Sequence, residues 1–509
     1  LIRRCVVVDA TTPGSLENNE VRGCCVFRRI EKENFAVMYG KVTDDIIKEL
    51  KVIVGENAVI TEKDKMIDYS HDEFPLEEIH QYPEVVVKPG NTVAVSEVMK
   101  LANKYRIAVT PRGGATGLAG GCVPINKGIV LSLENMNSII EVDRANLMVV
   151  SEAGASLMNM YKEIHKEGLF FPPHPGDESA TVGGVVATNA GGARALKYGV
   201  IRNFIRGIEV VLPTGEIVNF GGKIVKTSTG YSLLHLMTGS EGTLGIITKA
   251  TISLLPPPKA MMTLVAPFES MSDAIKTVPE IIVNKILPMA IEFLEIEPIK
   301  VTEDFMNKKW PSGLGRAHLM IIIDASSEDE IMKLAESVAD VCTANGALDV
   351  FIADNDNKQK EILDLRSHMY EAIKSHVLEI LDICVPPARI AEFVNFVHEL
   401  QKKYNVWLPS YGHAGDGNVH THLMKGKYID GKIQSVPEAE WRASFKQVRN
   451  ELHEYGVKLG GVLSGEHGVG LVKKEYLPMM FDKTTLKLMK EIKAVFDPNN
   501  ILNPGKIVD

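Results

Sequence analysis

Cysteine is scarce: six in 509 residues, Cys5, Cys24, Cys25, Cys122, Cys342 and Cys384, with no C-x-x-C pair. That excludes a disulfide framework, a zinc ribbon and a cysteine-held iron–sulfur cluster, and it fits a reducing cytoplasm. Basic residues are not in excess. Lys and Arg number 56 against 65 Asp and Glu, a formal net charge of −9, so a general nucleic-acid grip built on clustered cations is excluded. No uninterrupted apolar run approaches the ~20 residues that span a bilayer, so no transmembrane segment is expected. The glycine-rich stretches read neither G-x-G-x-x-G nor G-x-x-x-x-G-K-[ST], which excludes a Rossmann nicotinamide site and a Walker loop. Repeats and low-complexity tracts are absent. What remains is an ordinary globular composition, 45% apolar and 24% charged, on a chain long enough for two or three domains.

Residues 1–37 differ from the rest. They hold half of the cysteines and start basic, without the apolar stretch of a signal peptide. We expect Met38 to be the natural start and the prefix to be a non-native or disordered extension. A helical pattern begins near residue 42, with Thr43 placed to cap it. From Tyr82 strand and helix alternate: strand 84–88, helix 92–105, strand 107–110, then strands 128–132 and 147–150 and helix 156–166. Residues 207–212 and 216–220 read as a hairpin about Pro213, Thr214 and Gly215. Pro256, Pro257 and Pro258 must leave any sheet or helix. They divide residues 38–258 from a second α+β domain over 259–460, with helices near 328–344, 358–379 and 388–404 and strands near 318–324 and 348–352. Residues 461–509 are turn-rich and are expected to pack back on earlier material.

Three glycine-rich segments fall in the first part. Residues 111–121 read PRGGATGLAGG, residues 172–184 read PPHPGDESATVGG and continue to Asn189, Gly191, Gly192 and Tyr198, and residues 239–248 read GSEGTLGIIT. Successive glycine N–H groups form concave nests for phosphate oxygens. Three such stretches in one domain point to backbone lying against a long, flat ligand with a pyrophosphate, a dinucleotide. In the second part, residues 412–422 read GHAGDGNVHTH and residues 464–470 read SGEHGVG. Four histidines and two carboxylates among glycines suit a borderline divalent metal together with a base that works near neutral pH. A strand at 419–424 puts His420 and His422 on one face. Adjacent Glu466 and His467 can share a site only through a bend at Gly465 or Gly468.

These motifs, in this order over residues 40–509, resemble the FAD-linked oxidases. The fold class this implies is α+β: a two-part FAD-binding domain of the vanillyl-alcohol oxidase type plus an α+β substrate (cap) domain, with 461–509 completing the active site. Within the family the chain is similar to D-lactate dehydrogenases, glycolate oxidase flavoprotein subunits and D-2-hydroxyglutarate dehydrogenases, and most of all to bacterial lactate dehydrogenases that work with an electron-transferring flavoprotein. The resemblance implies FAD held by Pro111, Arg112, Gly113, Gly114, Ala115, Thr116, Gly117 and Leu118 at the pyrophosphate. It adds Pro175, Gly176, Asp177, Ala180, Thr181, Gly183, Gly184, Asn189, Gly192, Tyr198, Glu241, Gly245, Ile247 and Asn503. Some relatives carry a flavin-linked His in the first loop; Ala115 stands here, so the FAD is expected to be non-covalent.

The resemblance also implies one divalent transition metal (zinc, iron or manganese) on His413, His420 and Glu466, and His467 as the catalytic base. Arg366 resembles the arginine that holds the substrate carboxylate, with Tyr370, Asn418 and His422 also against the substrate. Ile380 and Leu381 stand where relatives acting on a dicarboxylic acid have a lysine, which favours a small monocarboxylate. The implied activity is oxidation of a small D-2-hydroxy acid, D-lactate to pyruvate, by hydride transfer to FAD. With no second redox motif in the chain, electrons leave to an external electron-transferring flavoprotein heterodimer. Alternatives are a glycolate or D-2-hydroxyglutarate dehydrogenase feeding a quinone or an iron–sulfur subunit, a non-enzymatic FAD-binding module, and a flavin-independent metal hydrolase. A cytoplasmic homodimer is the expected form.

Overall fold

The computed structural model describes residues 39–508; the expectations for residues 1–37 and for Met38 fall outside them. Near the start, Thr43 caps helix Asp44–Val54, its hydroxyl accepting from the Ile46 N–H. Asn91 likewise caps helix Thr92–Tyr105, which buries Val95, Val98, Met99 and Ala102, a stripe at helical spacing. That helix crosses between the two parallel pairs of a four-stranded sheet, in the order Val59–Ile60, Val85–Val87, Ile129–Ser132, Val109–Arg112. Val109–Arg112 is the edge strand, which tolerates the missing N–H of Pro111. It runs directly into the first glycine-rich loop.

A five-stranded antiparallel sheet follows, in the order Ile139–Asp143, Met148–Glu152, Ile246–Ser253, Ile205–Val211, Ile217–Gly221. Its last two strands form the hairpin read from the sequence, closed by Leu212 N–H to Glu216 O at 2.9 Å. The three prolines lie between strand Ile246–Ser253 of this sheet and strand Ala260–Phe268 of the next.

The third large sheet positions the chemistry. Its seven strands are antiparallel, in the order Phe351–Ile352, Ala260–Phe268, Ala317–Ala325, Ala290–Glu295, Ser410–His413, Asn418–Met424, Val377–Cys384. Strand residues alternate between faces. Leu264, Phe293, Ile321, Leu381, Ile383, Val419 and Leu423 share one core with residues of helices Met271–Val283, Glu328–Ala344, Ile390–Tyr404 and Glu438–Lys458. The intervening residues, Met320, Glu292, Tyr411, His413, His420, His422, Ile380 and Asp382, belong to the opposite face. The helix expected over 358–379 is instead helix Asp356–Ser367, a short helix Met369–Ile373 and then strand Val377–Cys384. Pairing with Asn418–Met424 makes this stretch a strand, with a bulge between Val377 and Glu379. So Ile380 faces the site, whereas Leu381 points into the helix-covered core.

The chain end packs against the strand before the first glycine-rich loop and against the third glycine segment. Asn503 N–H donates to Val109 O at 2.7 Å, and the buried Lys493 donates to Thr243 O and Leu502 O, each at 2.8 Å. Among the described residues, no helix is long and apolar enough to cross a membrane.

Two buried histidines away from the cleft set a pH dependence. Burial draws His318 down to about 4, and burial with the cations Arg449 and Lys473 draws His453 to about 2, from an ordinary value of 6.5. His318 Nδ1 accepts from the Trp310 indole at 3.2 Å, a bond that protonation there would break. Between pH 6.5 and 4 the unfolded chain binds these protons and the folded chain does not. Stability is therefore present above pH 6.5 and falls on acidification, by roughly 1.4 kcal/mol per pH unit for each histidine. Thermal melts from pH 7 to pH 5 check this: the melting temperature drops, and His318→Asn reduces the slope by one proton.

Candidate active site

A cleft of about 1280 Å³ lies between the glycine-rich loops and the open face of the seven-stranded sheet. It exceeds the ~300–1,000 Å³ of common small-molecule pockets and has room for a dinucleotide and a small substrate together. All eight residues of 111–118 line it, as do Pro175, Gly176, Asp177, Ala180, Thr181, Gly183, Gly184, Gly192, Glu241, Gly245 and Ile247. A side chain at Gly113 would put its Cβ 2.3 Å from Thr181 Oγ1, so only glycine lets the first loop approach the second segment this closely. Ala115 turns the loop with a left-handed φ of 58°. The glycine cradle and the size of the cleft fit FAD.

Four of the residues expected at the ligands do not line the cleft. Asn189 ends helix Val182–Thr188 in a left-handed turn and accepts from Arg202 N–H at 2.9 Å. Tyr198 donates to Asp324 Oδ2 at 3.4 Å. Asn503 donates to Gly121 O and Glu241 O, both at 3.0 Å, and so ties the chain end to the first and third glycine segments. Asn418 is buried beneath Gly465, whose added Cβ would lie 2.5 Å from its Oδ1. Glu241 does line the cleft, but its oxygens accept from Val469 and Gly470 N–H, each at 2.7 Å. It therefore fastens the 464–470 loop onto the third glycine segment.

At the other end of the cleft, His413 and His420 meet Glu466. The two Nε2 atoms lie 3.6 and 3.3 Å from Glu466 Oε1, and His467 Nε2 lies 3.8 Å from the same oxygen. The backbone bends through 465–467, so the adjacent Glu466 and His467 both reach the cleft. Burial by itself raises the Glu466 carboxyl, but hydrogen bonds from His413 and His420 hold it well below the usual carboxylate range. Donors about 2.1 Å from one tetrahedral ion lie roughly 3.4 Å apart, which is the size of the His413–Glu466 and His420–Glu466 separations. Asp382, His420, Glu466 and His467 form an overlapping set within 4.8 Å of one another. Asp382 Oδ2 is already occupied: it accepts from Ser464 Oγ at 2.7 Å, from Glu466 and His467 N–H at 3.1 and 2.8 Å, and from Lys473 Nζ at 3.3 Å. It holds the loop through Oδ2, while its Oδ1 has no hydrogen-bond partner among the described residues.

Burial pulls His467 to about 4, against the opposing pull of Asp382, so the ring is neutral near pH 7. His467 Nδ1 has no hydrogen-bond partner among the described residues. Gly191 packs against the same cluster; a Cβ there would sit 2.8 Å from Glu466 Oε2. His422, 1% exposed, donates Nδ1–H to Pro409 O at 3.1 Å, and its ring lies 4.7 Å from that of Tyr411. Tyr370 lines the cleft with its hydroxyl unpartnered among the described residues.

Arg366 does not present its whole fork. Its Nε and Nη2 donate to Glu292 Oε2 at 3.0 and 2.5 Å, and its guanidinium lies 5.0 Å over the Tyr411 ring. Burial opposes ionisation of Glu292, but His413 and Arg366 beside it hold the carboxyl down to about 2. Sequence reasoning assigned no role to Glu292 or Asp382. Each sits in a strand with a second carboxylate, Glu295 beside Glu292 and Glu379 beside Asp382, so nothing local singles either out.

Residues 83–221 match the "FAD binding domain" family, and residues 257–507 match "FAD linked oxidases, C-terminal domain". A D-lactate dehydrogenase of Archaeoglobus fulgidus is 47% identical over 83% of this chain and 91% of that protein. One of Anaerostipes hadrus is 39% identical over 92% of this chain and 98% of that protein. Among solved structures, p-cresol methylhydroxylase superposes with a TM-score of 0.73 at 18% identity, over 91% of this chain and 96% of that one. That likeness shows the two-domain fold. With both domain families matched in order and near-complete relatives at these identities, the chain belongs to the FAD-linked oxidases and is an FAD-dependent oxidoreductase.

Proposed function

We propose that the chain oxidises a small D-2-hydroxy acid, D-lactate, to pyruvate. The observation that carries this reading is the convergence of His413, His420 and Glu466 beside a neutral His467, in a cleft that the FAD-binding loops also line. Bound FAD supplies a two-electron acceptor, and a divalent cation on the three ligands supplies a Lewis acid. Arg366 offers its remaining nitrogen, Nη1, to the substrate carboxylate. His467 Nε2 takes the hydroxyl proton. Tyr370 and His422 supply polar groups beside the substrate, and burial of the cluster excludes water. Ile380 puts an apolar side chain on this wall, which supports a monocarboxylate with a short side chain. The relatives named D-lactate dehydrogenase support the same substrate. Electrons then leave to an external electron-transferring flavoprotein.

The test is anaerobic mixing of the purified flavoprotein with D-lactate, L-lactate, glycolate and D-2-hydroxyglutarate, following flavin absorbance. D-lactate bleaches the flavin fastest, and acid precipitation releases the flavin from the chain. Bleaching by none of the four would remove the substrate assignment.

A further inference from the structure

We infer that Glu292 is a positioning residue that sets the metal-ligand imidazole and the carboxylate-binding arginine as one unit. The inference rests on the reading of His413 and Arg366 above. Glu292 lies on strand Ala290–Glu295, directly opposite His413 on the next strand, and is 1% exposed. Its two oxygens are divided: Oε1 meets His413 Nδ1 at 2.5 Å, and Oε2 takes both Nε and Nη2 of Arg366.

A carboxylate only accepts, so His413 carries its hydrogen on Nδ1. A metal that displaces the Nε2 hydrogen would then meet a lone pair directed toward Glu466, as a ligand requires. The same carboxylate occupies one edge of the guanidinium, while the Tyr411 ring lies beneath its plane. Arg366 is thereby held with Nη1 remaining for the substrate. The hydroxyl end and the carboxylate end of a 2-hydroxy acid are thus gripped by groups that share one buried residue.

Glu292→Gln tests this at nearly constant volume. Glutamine has one acceptor oxygen. Turned toward Arg366, it leaves an NH₂ that donates to His413 Nδ1 and drives the imidazole hydrogen onto Nε2, where it blocks ligation. Turned toward His413, it sets NH₂ against the N–H groups of Arg366. Either way one grip is lost. Zinc affinity, read by elemental analysis after dialysis against graded chelator, falls about 10–100-fold, or the KM for D-lactate rises by at least about tenfold in zinc-saturated protein. FAD content and circular dichroism stay at wild-type values. Zinc affinity and KM both within about twofold of wild type would overturn the role of Glu292.

If the glutamine variant does not fold, Glu292→Asp replaces it. It keeps the charge but is one methylene shorter and reaches only one partner, so the same two readouts apply. Wild-type protein stripped of metal that still oxidises D-lactate at full rate would instead defeat the metal reading of the site. An unchanged KM in the glutamine variant would then overturn the role of Glu292 by itself.

Discussion

His467→Ala leaves FAD bound and lowers the rate of flavin reduction by D-lactate about 10²–10⁴-fold, the usual contribution of a positioned general base. The ring lies against the Glu466 end of the cluster, with Nε2 3.8 Å from Glu466 Oε1 and a neutral charge state near pH 7. Its removal spares the fold, because the loop is held through the His467 backbone N–H, which donates to Asp382 at 2.8 Å, and not through the imidazole. Asn at the same position should behave like Ala. Stopped-flow reduction of the flavin is the measurement, with flavin content of the purified variant as the control. Near-wild-type reduction would take His467 out of the role of base.

Asp382→Ala is expected to remove activity and stability together. Asp382 is fully buried and accepts from the Ser464 hydroxyl, two backbone N–H groups and the ammonium of Lys473, which is itself 1% exposed. Truncation strands a buried cation, and breaking a buried pair from one side typically costs about 3–5 kcal/mol. The Glu466 and His467 N–H groups lose their acceptor as well, so that turn keeps only the Gly465 N–H bond to the Asp382 carbonyl and the Glu241 contacts at Val469 and Gly470. The two effects separate in a double variant. Asp382→Ala with Lys473→Met removes both charges and should recover most of the melting temperature, because the stranded cation is gone. It should not recover flavin reduction, because the Glu466 and His467 N–H groups still have no acceptor. Wild-type melting and turnover in the single variant would show that the anchor is not needed.

Most of the cleft lining was legible because it is local in sequence. Glycines at 113, 114 and 117, or Glu466 next to His467, are short strings whose chemistry follows from composition and spacing. The helices at 92–105 and 328–344 were equally legible, since apolar periodicity and capping residues act within one turn. The stretch after Ser367 was not. Its strand exists because Asn418–Met424 pairs with it, and that partner lies some forty residues on. Glu292 and Asp382 were illegible for the same reason: their partners are 121 and 84 residues away, His413 for the first and the Glu466 N–H for the second.

The sequence alone determined the family, the glycine-rich cradle and the supply of histidine and carboxylate side chains at the cleft. The tertiary structure decided how those groups are aimed. Antiparallel register put Glu292 opposite His413 and Asp382 opposite His420. Strand alternation then sent Ile380 to the cleft and Leu381 to the core. Hydrogen bonds to Glu292 took Nε and Nη2 of Arg366. Such choices depend on pairing between distant strands, and a carboxylate in a strand carries no local mark of which neighbour it will meet.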